Sequence, residues 1–128
     1  MTRSGGEGES PNEQLMHLTR LTASGCTVLS VTGEIEAMTV PRLVTALEAA
    51  LHEEPPAPVV LDLSRVRFLA SSGLSALQEV TVESERRGDP LRIVVDTARP
   101  VVRPIQIAGL QRRLALFHSV EEAAAFQA

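Results

Sequence analysis

The sequence predicts an α/β domain whose mixed β-sheet begins with a hairpin, grows by alternating helices and strands, and carries helices packed on it. Three observations lead there. Val59–Leu63, VVLDL, is too short an apolar run for a membrane span but suits a strand covered on both faces. After Ser71, Ser72 and Gly73, the residues Leu74, Leu77 and Val80 recur at three-residue spacing with small or polar residues between them, the mark of an amphipathic helix that starts at the serines. Around this pair, strand patterns and helix patterns alternate along the chain, which implies right-handed crossovers between strands of one open sheet.

Taken in order, residues 1–14, with Gly5, Gly6, Gly8 and Pro11, read as a flexible tail, and one domain spans 15–127. Leu15–Leu21 is a strand of imperfect alternation. Thr27–Thr32 is β-branched and places Leu29 and Val31 on one face, so that Thr22–Gly25 turns a hairpin. Gly33, Glu34, Ile35 and Glu36 are expected to end the second strand and open a loop carrying two carboxylates. Thr39 is placed to cap a helix with Pro41 in its first turn and an apolar stripe of Leu43, Val44, Leu47, Ala50 and Leu51. The three prolines within Glu53–Pro58 break that helix before the Val59 strand. The helix from Ser71 runs to about Arg87 and stops at Gly88, a residue suited to a left-handed cap. Leu91–Val95 is a further strand, and Val101–Ala108 a third helix that tolerates Pro104 only in its first turn. Leu114–Phe117 is a short last strand, and Ser119 with Glu122 forms a capping box for a terminal helix.

Composition narrows the function. The 128 residues suffice for one core, and with aromatics at 2% that core must be aliphatic. All twelve basic residues are Arg, which removes every lysine-dependent chemistry, including Schiff bases and phosphate-binding loops. A net charge of -4 and the shortage of rings argue against direct nucleic-acid binding. Cys26 is the single cysteine and fits a small strand residue, with no internal disulfide available to it. Neither a signal segment nor a long apolar run is visible, so a cytoplasmic location without membrane contact is expected.

The chemistry then concentrates on Ser71. A hydroxyl at a helix N-terminus meets exposed backbone N–H groups and the positive end of the helix dipole, so a negative charge placed there is held rather than repelled. This makes Ser71 a candidate phosphoserine, with an ordinary capping role as the bland alternative. Glu34 and Glu36 lack a nearby second catalytic group and fit a solvated or partner-contacting loop better than acid–base chemistry. A hydrolase would need Ser71 as nucleophile and His118 or His17 as base. The G-x-S-x-G pattern is absent, and neither imidazole has an evident orienting acid, so no enzyme is expected. His17, His52 and His118 stand apart without metal-ligand spacing, His52 fitting the C-terminal end of its helix; no metal or other cofactor is implied.

Three stretches also resemble a known family, that of the STAS domain and its bacterial anti-sigma-factor antagonists. They are VTGEIE at Val31–Glu36, LDLSRVRFLASSGL at Leu61–Leu74 and IAGLQRRLALFHSVEEA at Ile107–Ala123. The resemblance implies a regulatory module that binds an anti-sigma factor, itself a serine protein kinase, and so frees a sigma factor; phosphorylation by that kinase ends the binding, and a phosphatase would restore it. By position it makes Ser71 the phospho-acceptor, with Ser72 as its neighbouring alternative. It makes Glu34, Glu36, Ser72, Gly73 and Leu74 the partner surface, with Leu74 either an interface residue or the first core contact of its helix. Two positions depart from the family pattern, which has aspartates where this chain has Ala70 and Glu36. Loss of the carboxylate at Ala70 favours a second reading, an unphosphorylated STAS adaptor or regulatory subunit of a transporter or sensor complex.

Overall fold

Alternation and turn chemistry dictate the first unit, a hairpin of β1 (Met16–Ala23) and β2 (Cys26–Ile35). Ser24 and Gly25 join them with φ of 55° and 77°, the doubly left-handed pair that matches the twist of antiparallel strands. The computed structural model describes residues 15–98, 101–107, 109–110 and 113–126; the tail expected over 1–14 lies outside them. After the hairpin come α1 (Val40–Leu51), β3 (Val59–Leu69), α2 (Ser71–Arg86), β4 (Arg92–Val94), α3 (Val102–Ile107), β5 (Ala115–Phe117) and α4 (Val120–Ala125). The sheet order is β1-β2-β3-β4-β5, with β1 antiparallel to β2 and the other neighbours parallel.

Burial follows the two faces of this sheet. Leu29, Val31, Leu61, Leu63 and Ile93 meet Leu43 and Leu47 of α1, Leu77 and Val80 of α2 and Ile105 of α3 in the main core. Cys26, Val28, Val60 and Val94, alternate residues of the same strands, pack with Ala123 of α4 in a smaller core on the opposite face. Both cores are wholly aliphatic apart from Met16 and Cys26 among their buried residues, as the scarcity of rings requires.

Several local expectations change. The strand expected over Val59–Leu63 continues to Leu69, because β3 takes up two bulges against β2. Its register passes from Ser30↔Asp62 to Thr32↔Arg65 and from Gly33↔Val66 to Glu34↔Phe68, each step inserting one extra β3 residue. The buried residues Leu63, Val66 and Leu69 therefore recur every third position, which hides the strand's period of two. Gly33, Glu34 and Ile35 lie inside β2, so Glu34 is a strand residue rather than a loop residue. Pro104 does fall in the first turn of α3, and Gly88, at φ 95°, follows the Arg87 cap of α2. Ser119 accepts from Glu122 N–H as a capping box requires, but Glu122 Oε1 accepts from His118 N–H at 2.8 Å instead of from Ser119.

Candidate functional site

The carboxyl ends of β2 and β3 bring the expected site residues to one edge of the sheet. Glu34 pairs with Phe68 and Ile35 with Leu69, and Ala70 N–H then donates to the Ile35 carbonyl at 2.9 Å, carrying the pairing one residue past the strand. The chain next turns into α2. Ala70, in extended conformation, is the N-cap residue and has no side chain to cap with. Ser71 is thus the first helical residue and not the cap, which removes its bland alternative role. Its side chain is exposed, Ser72 is half-buried, and Gly73 and Leu74 are buried. Leu74 belongs to the main core cluster, so of its two expected roles the core contact is the one observed.

Gly73 explains how α2 starts so close to the strands. A Cβ there would lie 2.7 Å from both Ile35 Cγ2 and Leu69 Cδ1. Ile35 is β-branched and fully buried, so it has little freedom to retreat. Gly73→Ala gains about 1 kcal/mol of helix propensity but forces an overpacked contact costing about 1–3 kcal/mol. A net loss of about 1 kcal/mol is expected, seen as a lower urea midpoint with an unchanged m-value.

The neighbouring turn is fixed by Thr39, which is fully buried. Its Oγ1 accepts from Glu36 N–H at 3.0 Å and lies 3.0 Å from the Glu34 carbonyl, to which the hydroxyl donates. Thr39 is therefore the N-cap residue of α1 by position, but its hydroxyl staples the preceding turn instead of capping the helix. Glu36 Oε1 accepts from Met38 N–H at 2.7 Å, and Glu34 Oε2 lies 4.0 Å from Arg67 Nη2. Glu36 is thus bonded within the chain, whereas Glu34 and Arg67 form a long, solvent-exposed pair. Beside the exposed Arg67, the turn and strand end expose two large apolar side chains: Met38 is 55% and Phe68 51% accessible. Sequence reasoning missed this pair, since Phe68 reads as core in an apolar run when the bulges are unknown.

Chemically, the edge offers an accessible hydroxyl at the positive end of a helix of 16 residues. Among the described residues no hydrogen bond joins Ser71 to His17 or His118; His17 is an exposed residue of β1, and the backbone N–H of His118 is bonded to Glu122. His52 sits at the C-terminal end of α1, its Nδ1 2.7 Å from the Glu48 carbonyl, in the helix-end position expected. Among the described residues no cluster of His, Cys, Asp and Glu is arranged to hold a metal ion, and no helix is long and apolar enough to cross a membrane.

Known proteins share both this sequence and this arrangement. Over 101 residues the chain is 36% identical to the anti-sigma-F factor antagonist RsfB of Mycobacterium tuberculosis, a match covering 78% of this chain and 80% of that protein. The crystal structure of an anti-sigma factor antagonist from Mycobacterium paratuberculosis superposes with a TM-score of 0.71 at 29% identity, covering 89% of this chain and 93% of the other. The fold alone recurs in the murine anion transporter Slc26a9, with a TM-score of 0.64 at 17% identity over 80% of this chain and 18% of the transporter. Residues 18–123, from the middle of β1 into α4, match the STAS domain model. The hairpin, the parallel extension and the serine-headed helix at its rim are therefore those of a STAS domain, and the chain belongs to that family.

Proposed function

We propose that this STAS domain is an anti-sigma-factor antagonist: it binds an anti-sigma factor that is also a serine kinase, thereby releases a sigma factor, and is switched off by phosphorylation of Ser71. The observation that carries the reading is the accessible Ser71 hydroxyl at the head of α2, in a chain 36% identical to an anti-sigma-F factor antagonist. A phosphate there adds about -1.5 to -2 charges and three oxygens at a surface that must otherwise close on a partner. The backbone N–H groups of the first turn of α2 tolerate that charge, so modification blocks docking without unfolding the domain. The protein acts by binding and not as an enzyme: its serine is a substrate of the partner, which supplies the ATP and the catalytic base.

The test incubates the purified chain with ATP and candidate anti-sigma kinases from the same genome, reading phosphate by intact mass and binding by co-elution. One added phosphate, absent from Ser71→Ala, with only the unmodified form retained by the kinase, is the expected result. Phosphate persisting in Ser71→Ala and absent from Ser72→Ala would move the acceptor to Ser72. Ala70 favours a second reading, an adaptor that is never phosphorylated, because the aspartate of the family pattern is missing at that position. Stable binding with no phosphate from any kinase would support it.

A further inference from the structure

Phe68 is out of place in this molecule. The chain has three aromatic residues, and the other two, Phe117 and Phe126, pack edge to face with centroids 5.3 Å apart. The third stands half in solvent near the end of β3, paired across the sheet with Glu34 and three positions before Ser71. Met38 is similarly exposed on the turn that leaves the adjacent strand. Charge on the same edge is of both signs: Glu36 holds the Met38 N–H, Glu34 lies 4.0 Å from the exposed Arg67, and Arg65 is an exposed residue of β3. Interfaces draw most of their energy from a few rings and long apolar side chains enclosed by a polar rim, which is the composition here.

Resting on the function proposed above, we infer that Phe68 and Met38 are the affinity-determining anchors for the anti-sigma factor, and that phosphate at Ser71 ends binding by desolvation rather than by repulsion between like charges. The partner surface must then offer an apolar depression rimmed by both signs of charge, because the carboxylates of this edge are offset by Arg65 and Arg67. The anti-sigma factor is the occupant, and not a second copy of the chain, because Phe68 lies three positions before Ser71 and, in the function proposed, the contact that modification switches must enclose Ser71. Glu36 is a positioning residue in this arrangement: one carboxylate oxygen fixes the turn that presents Met38. A dianion on Ser71 would have to shed its water to enter the same contact, and that cost does not depend on ionic strength as surface charge repulsion does.

Affinity for the anti-sigma factor, measured by calorimetry with the full chain, tests this. Phe68→Ser is expected to weaken binding about thirtyfold or more, and Met38→Ser about tenfold. Glu34→Gln and Glu36→Gln, which keep an acceptor for the same bonds, should change it less than about threefold. The affinity of the wild type and the loss caused by Ser71 phosphorylation should both vary little between about 50 and 500 mM salt. Leu21→Ser is the control, since Leu21 is 48% accessible but pairs with Val28 at the opposite end of the sheet; it and Phe68→Ser should both melt like the wild type. Wild-type affinity in Phe68→Ser, or a steep salt dependence with loss in the Gln variants, would overturn the inference while leaving the proposed function standing. A wild-type dimer in sedimentation that Phe68→Ser dissociates would overturn it in favour of a second copy as occupant. If the wild type binds no anti-sigma factor, the function fails and takes the anchors with it.

Discussion

Gly33→Ala is expected to destabilise the domain by about 3 kcal/mol or more, a large share of the about 5–15 kcal/mol that holds such a domain folded. Two costs combine at this residue. Its φ of 99° lies where a side chain is strained by about 1–2 kcal/mol. In addition, an added Cβ would fall 2.0 Å from the carbonyl oxygen of Leu15, a backbone atom that cannot rotate away as a side chain can. Relief would require the start of β1 to move, yet Met16, which pairs with Gly33, is fully buried in the main core. Urea unfolding of the purified variant measures the loss, and a midpoint equal to that of the wild type would show that β1 can shift without cost. The same site adjoins Glu34, so the variant should weaken partner binding only in proportion to its unfolded fraction.

Arg92→Ala is expected to cost about 2–4 kcal/mol, the second large effect, and to act first on α4. Arg92 is 4% accessible, donates to the Ala123 carbonyl at 2.9 Å, pairs with Asp89 at 3.1 Å and lies 5.3 Å from the ring centroid of Phe126. Its guanidinium thus fastens the last helix, too short to stand alone, to β4. Its Nε is buried without a hydrogen-bond partner, so the native arrangement already carries one unsatisfied donor. Arg92→Met, which keeps the apolar stem and removes that donor with the charge, should retain more stability than Arg92→Ala. Amide exchange separates the roles: protection in α4 should vanish in both variants while protection in β2 and β3 falls only with global stability.

The larger outline of this fold is legible in local chemistry. Apolar runs mark strands, three-residue spacing marks α1 and α2, and Ser24–Gly25 and Gly88 mark ends that need left-handed backbone. What escaped sequence reading depends on contacts between distant segments. The length of β3 follows from where β2 lies beside it, and no local pattern reports a bulge set by a neighbour. Thr39 has the composition of a helix cap, but its burial against the end of β2 redirects its hydroxyl to Glu34 and Glu36. At the site, Ser71 was readable because a hydroxyl at the head of a helix has local meaning. Glu36 was readable as a charged residue but not as one already bonded, and Phe68 could not be told from core until the sheet showed which way its strand had turned.

The two bulges of β3 have a bearing on how function is set apart from folding in this chain. Between Thr27↔Val59 and Ile35↔Leu69 the offset between paired residues grows from 32 to 34, so β3 spends two residues that advance its hydrogen-bonded ladder by nothing. Those residues work like a vernier between a scaffold and its rim: the sheet decides where the rim lies, and the slack in one strand decides which amino acid stands on it. Deleting the extra residue at either bulge would close that bulge and leave the later pairs, and Ser71, where they are, whereas deleting a regularly paired residue of β3 with both bulges kept would draw the following chain back by about 3.3 Å. Only the second deletion would bring Ser72 to the place of Ser71, so that the rim presents a different hydroxyl.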